Sequence, residues 1–132
     1  MFGTLKNPID ILDSVYEKSS YKSKFTLEQR QEDSSVILNK YPDRIPVIIE
    51  KYHSSLLLDI DRKKYLVPTD MTIGQLIFMI RKRIKLSSEK AIFIFIDNIT
   101  PNTSLTIHEV YEKHKDIDNF LYIVYQEESV FG

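Results

Sequence analysis

Few residues in this chain are arranged to make or break covalent bonds. It has no cysteine, which excludes a disulfide, a thiolate zinc site and a cysteine nucleophile. His53, His108 and His114 lack the spacing of a ligand set, so no metal is expected. The serine, histidine and aspartate residues form no nucleophile elbow or paired-carboxylate motif, and three glycines in 132 residues leave little for a phosphate-cradling loop. Neither intrinsic catalysis nor a cofactor is expected. What remains is the terminal segment. An apolar and aromatic run over residues 120–125 reads as a strand buried on both faces, in the middle of a sheet. A polar spacer, Gln126-Glu127-Glu128-Ser129, follows it, and then Val130, Phe131 and Gly132. A core strand that runs straight on into a glycine carboxylate presents that carboxyl clear of the globule, which is the layout of a chain whose tail is itself a substrate.

Composition narrows the rest. The chain is long enough for one domain with a sizeable core, and 42% hydrophobic content is ordinary for a globule. With 18 basic and 19 acidic residues the net charge is only -1, which argues against bulk nucleic-acid binding. No apolar run approaches the roughly 20 residues that span a bilayer, and the first residues lack a signal-peptide pattern. The chain is expected in cytosol or nucleus, reaching a membrane only by recruitment.

The elements that must position the tail follow from local signals. Asn7-Pro8-Ile9-Asp10 is a helix start, and Ile9, Leu12, Val15 and Tyr16 share a face, predicting a short helix over residues 8–18. Ser19-Ser20 breaks it. A helical turn and a longer helix over residues 27–39 are expected next, ended by the turn Tyr41-Pro42-Asp43-Arg44. Residues 45–51 read as a buried strand. Lys64-Tyr65-Leu66-Val67-Pro68 reads as an edge strand, because charge and proline suit an edge. Thr72 and Gln75 form a capping box for the main packing helix, residues 73–85, whose cationic last turn Arg81-Lys82-Arg83 complements the helix dipole. Residues 92–96 read as another buried strand, and Thr106 opens a helix reaching residue 115. The order β-β-α-β-α-β after the N-terminal helices predicts an α+β fold of the ubiquitin-like β-grasp type. Its mixed four-stranded sheet carries two crossing helices, with first and last strands parallel at the centre.

The blocks Lys40-Tyr41-Pro42-Asp43-Arg44-Ile45-Pro46-Val47-Ile48, Lys63-Lys64-Tyr65-Leu66-Val67-Pro68, Ile80-Arg81-Lys82-Arg83-Ile84, Phe120-Leu121-Tyr122-Ile123 and Glu128-Ser129-Val130-Phe131-Gly132 closely resemble the ubiquitin-like modifiers of autophagy, GABARAP type. The resemblance covers residues 21–132, with residues 127–132 as conjugation tail, and leaves residues 1–20 as an extension that is partly helical or mobile. It implies that the N-terminal helices pack on the open face of the sheet. It also implies that Gly132, preceded by Phe131, is conjugated to phosphatidylethanolamine by activating and conjugating enzymes, with a cysteine protease for processing and deconjugation. A side chain at residue 132 would crowd each attack on the carboxyl carbon.

The resemblance further implies docking of receptor and adaptor peptides that carry an aromatic-x-x-aliphatic motif and add a strand to the edge at residues 64–66. Carried over by position, the first pocket comprises Asp33, Ile37, Pro46, Ile48, Lys64, Leu66 and Phe120. The second comprises Tyr65, Val67, Pro68, Met71, Leu76 and Met79. Arg44, Lys64 and Arg83 form a charged rim for acidic residues flanking the motif. Autophagosomal and vesicle membranes are the implied location after lipidation. Conjugation to proteins, or use as an unconjugated vesicle or cytoskeleton adaptor, is the alternative. Residues 26–35 are less basic than in many members, which argues against microtubule binding. Leu56-Leu57-Leu58 is unusually apolar for a connection and either covers core or forms a contact surface. Phe2-Gly3-Thr4-Leu5 formally fits the docking motif itself.

Overall fold

The structure, a computed structural model, describes residues 20–127. The helix expected over residues 8–18, the Phe2–Leu5 match and the terminal Phe131-Gly132 all lie outside them. The described chain runs α1 (Tyr21–Lys24), α2 (Leu27–Lys40), β1 (Arg44–Lys51), β2 (Lys64–Pro68), α3 (Ile73–Arg83), β3 (Phe93–Phe95), α4 (Ile107–His114) and β4 (Leu121–Gln126). The sheet order is β2-β1-β4-β3. β1 and β4 pair in parallel at the centre, and β1 with β2 and β3 with β4 pair antiparallel. This is the mixed β-grasp sheet that the element order predicts, with β2 at an edge.

Local chemistry sets most boundaries. Both long helices open on full capping boxes, Thr26 with Gln29 and Thr72 with Gln75, each threonine accepting from the backbone three residues on. Ser20, which the sequence reading treats as a break, is the N-cap of α1. α3 stops two residues short of the expected end, because Lys85 turns to a φ of 55°, outside helical space. Arg81 is more than a dipole partner: its guanidinium donates to the Lys90 carbonyl at 2.7 Å and the Ser87 carbonyl at 2.9 Å, stapling the loop that follows. The strand expected over residues 92–96 shortens to three residues, since Ile96 turns back to bridge Ile99.

Strand alternation divides the interior in two. Ile45, Val47, Ile49, Val67, Leu121, Ile123 and Tyr125 face α3 and α4 and build the main core with Ile73, Leu76, Ile80, Ile107 and Val110. Ile48 and Phe120 face the other way and pack with Tyr21 and Ile37 beneath α1 and α2. β4 is not buried on both faces throughout: Tyr122 and Val124 are half-buried, because the two short helices cover only part of that face.

A buried ion pair fastens this second layer. Asp118 is fully buried and its carboxylate accepts from Arg30 of α2 at 2.7 Å, from the Phe120 backbone N–H at 2.8 Å and from the Tyr122 hydroxyl. The Ser34 hydroxyl donates to the Asp118 carbonyl at 2.6 Å. Asn119 adopts a φ of 69°, which an asparagine tolerates, so the chain can double back from this cluster into β4. Removing one member of a buried, hydrogen-bonded pair strands the other. Asp118→Ala is therefore expected to cost about 3–5 kcal/mol in urea unfolding. Asp118→Ala with Arg30→Ala should cost less than the two single changes summed, and simple additivity would count against the pairing.

Candidate functional site

The open edge of the sheet is the outer side of β2. The Lys63 carbonyl accepts from the Ile49 N–H at 2.8 Å, and the Thr69 N–H donates to the Asp43 carbonyl at 3.2 Å, so the odd-numbered positions of this strand bond toward β1. In an antiparallel ladder the alternate residues then turn both backbone groups outward, which here are Lys64 and Leu66. The Leu66 carbonyl accordingly lies 3.5 Å from the Arg44 guanidinium, off the ladder. An added strand would find its backbone partners at these two residues.

Side chains of β2 alternate between the two layers. Lys64 and Leu66 register with Ile48 and Pro46 on the α1–α2 side. There Ile37, Ile48 and Phe120 form a buried apolar floor with Tyr21, while Leu66 is exposed at the brink. Lys64 spans the opening to the Asp33 carboxylate at 2.8 Å, and the Tyr21 hydroxyl donates to the same oxygen at 2.7 Å. All seven residues expected for the first pocket come from elements that meet here. Tyr21, to which the sequence gives no role, packs with them: its ring lies 5.2 Å from that of Phe120.

Tyr65 and Val67 turn to the α3 side, where Met71 and Met79 pack half-buried against the core. Val67 and Leu76 are buried in the main core, so neither presents a surface of its own here. Pro68 closes β2, and alternation alone puts it on the side of Leu66, so its place in the second set rests on the resemblance. On the rim, Arg83 pairs with Asp61 at 3.0 Å and its guanidinium lies 5.2 Å from the Tyr65 ring centre. The charged rim is thus already engaged, and an acidic partner would compete with Asp61 for Arg83 and with Asp33 for Lys64.

The tail leaves from the far end of β4. Before it departs, the Glu127 carboxylate accepts from the Leu56 N–H at 2.9 Å and from the Ser55 hydroxyl at 3.1 Å. Slight burial raises this carboxyl, but the N–H groups and hydroxyl facing it prevail, and it sits below the usual glutamate range. The Leu56-Leu57-Leu58 alternative resolves residue by residue: Leu57 packs on the core, while Leu56 and Leu58 are exposed.

The β-grasp sheet with helices added on its second face is a ubiquitin-like fold, and similarity to known proteins puts the chain in the autophagy class. The sequence matches the family described as "Autophagy protein Atg8 ubiquitin like" over residues 29–132. It is 56% identical to Autophagy-related protein 8d of Arabidopsis thaliana over 114 residues, covering 86% of this chain and 95% of that one. It is 56% identical over 115 residues to Autophagy-related protein 8 of Schizosaccharomyces pombe, covering 87% and 95%. The crystal structure of Trypanosoma brucei ATG8 superposes with a TM-score of 0.79 at 40% identity, over 86% of this chain and 98% of that one. The chain belongs to the Atg8 family.

The Lys64–Asp33 bridge makes a titration test. Burial alone raises the Asp33 carboxyl, but hydrogen bonds from Lys64 and Tyr21 and the Lys64 charge outweigh it, leaving Asp33 below the ordinary carboxylate range. A depressed carboxyl contributes stability above its unfolded value of about 3.9 and loses it as pH falls through the folded value. The Asp33 carboxyl resonance should titrate below that reference and move back toward it in Lys64→Ala. An unchanged midpoint in the variant would show that the bridge is not populated in solution.

Proposed function

We propose that this chain is joined through Gly132 to phosphatidylethanolamine on autophagic membranes and there recruits receptors and adaptors by strand addition to β2. The observation that carries the reading is the edge itself. Its outward backbone groups at Lys64 and Leu66 lie between the apolar clusters of the two layers, and an added strand of an aromatic-x-x-aliphatic motif would send its aromatic residue toward the first and its aliphatic residue toward the second. The Phe131-Gly132 end of the family match supports the conjugation half.

On this reading residues 21–132 are the working unit and residues 1–20 an extension. An activating enzyme adenylates the Gly132 carboxyl and captures it as a thioester, and a conjugating enzyme passes it to the lipid amine. A cysteine protease reverses the linkage. Glycine at residue 132 leaves the carboxyl carbon open to each nucleophile. Lys64, Arg44 and Arg83 would meet acids beside the motif, favouring encounter and register more than depth of affinity.

Two measurements test the two halves. Mixed with its activating and conjugating enzymes, ATP and phosphatidylethanolamine vesicles, the chain should gain one lipid in intact mass, and Gly132→Ala should not. A thioester without a lipid adduct would favour the alternatives, protein conjugation or a free adaptor. Titration calorimetry with an acidic aromatic-x-x-Leu peptide should show Leu66→Ala and Tyr65→Ala each weakening binding about tenfold, equivalent to about 1.4 kcal/mol. Unaltered affinity in both would remove β2 as the docking edge.

A further inference from the structure

The loop between β1 and β2 turns two leucines into solvent. Leu56 is 94% exposed and Leu58 60%, with the half-buried Leu57, packed on the core, between them as an anchor. Side chains so placed are usually tips of mobile loops, yet this triplet is held down. The Leu56 N–H donates to Glu127 at 2.9 Å and the Leu57 N–H to the Ser55 hydroxyl at 3.1 Å. The Leu57 carbonyl accepts from Lys51 at 3.1 Å, and the Leu58 carbonyl accepts from the Tyr125 hydroxyl at 2.7 Å. Four of the triplet's six backbone polar groups are therefore satisfied from within, and the Leu56 and Leu58 side chains project outward.

Those properties suit entry into a lipid interface, where an unsatisfied backbone group is costly and an apolar side chain is favoured. Position decides in favour of lipid over other occupants. Glu127, bonded to this loop, is the root of the tail, and the five residues from there to Gly132 span at most roughly 17 Å when fully extended. A chain tethered at Gly132 thus holds the loop beside the bilayer surface. We propose that Leu56 and Leu58 form a second membrane contact that inserts at the interface once the chain is tethered through residue 132. Two leucines bind too weakly to recruit the free protein, but a tether makes the second contact intramolecular at high effective concentration. The loop then fixes the orientation of the body on the membrane. The proposal rests on lipid attachment at Gly132, and its test separates the two.

The chain contains no tryptophan, so Leu56→Trp introduces a sole fluorophore at the loop tip. Val36, 57% exposed on α2, gives the control Val36→Trp. Each variant is attached to neutral vesicles containing lipids with brominated acyl chains, by the conjugating enzymes and, separately, through Gly132→Cys to a maleimide lipid. Intact mass reports attachment in either case. Expected is a blue-shifted emission quenched by the bromines for Leu56→Trp by both routes, with neither effect for Val36→Trp or for unattached protein. In the native loop, attachment should slow hydrogen exchange at residues 54–60, and the paired change Leu56→Ser and Leu58→Ser should abolish that protection. Attached Leu56→Trp that stays unquenched, with no added exchange protection in the native loop, overturns the second contact and leaves conjugation intact. Failure of enzymatic attachment alone, with insertion on the maleimide tether, would sink the conjugation reading and keep the loop. If the paired serine change lowers the conjugation rate without any insertion signal, the leucines serve an enzyme surface and the membrane proposal falls.

Discussion

The ion pair between Arg30 and Asp118 is the constraint on which the functional surface depends. A β-grasp sheet has one face covered by its crossing helix; the other needs a cover before it can offer a hollow. Here α1 and α2 supply that cover, and α2 is fastened through Arg30, whose side chain is only 12% exposed, to the Asp118 carboxylate, on a side chain with no exposed surface. The energy of such a pair is mostly the cost of breaking it, because the desolvation of both charges largely offsets their attraction. What it adds is placement. Arg30 and Ser34 lie one turn apart on α2 and both reach residue 118, so the helix can neither slide nor roll without stranding a buried polar group.

That placement sets the walls of the proposed first pocket. Ile37 and Asp33 sit on the same helix as Arg30, so fixing Arg30 fixes the wall that faces β2. The base comes from Ile48 of β1 and from Phe120, which immediately precedes β4, and Phe120 is itself held by its N–H to Asp118. One carboxylate thus determines both the base and the wall. The opening is governed by something weaker: Lys64 and Asp33 are both partly exposed, and an ion pair of that kind contributes about 1 kcal/mol or less. On the proposed reading, a firm base under a lightly held latch suits a peptide site, since the ligand would displace the latch without having to reorder the base.

Much of this was legible in the chain because the signals were local. The Thr72 and Gln75 capping box, the Tyr41-Pro42-Asp43-Arg44 turn and the apolar strands each declare themselves within a few residues, and their order leaves few topologies. The edge role of β2 followed from its lysine and proline. What stayed hidden depends on contacts far along the chain. Asp118 lies in the polar stretch Asp116-Ile117-Asp118-Asn119, which reads as a solvated loop; its burial comes from a helix 88 residues earlier. Tyr21 drew no role from the sequence for the same reason. Arg81 was read as a helix-end charge because its partners are carbonyls, and every residue has one. The pocket residues came from the resemblance rather than from physics; alternation along β2 puts Lys64 and Leu66 on one face and Tyr65 and Val67 on the other, as the two sets require, but not Pro68.

The sheet order also keeps the two proposed tasks apart. Docking uses the outer edge of β2, whereas the tail departs from the end of β4, and β1 lies between them. Adjacent strands are about 4.8 Å apart, so roughly 10 Å of hydrogen-bonded sheet separates the strand that carries the tail from the strand that would receive a peptide. The separation also has a direction, because β1 runs parallel to β4 and antiparallel to β2. The end of β4 from which the tail leaves is the end at which β1 runs out into the Leu56 loop. A pull on the tail is therefore borne by Glu127, the loop and the central parallel pair, none of which supplies a backbone group to the open edge. Tethering and docking can load the same sheet without competing for the same hydrogen bonds.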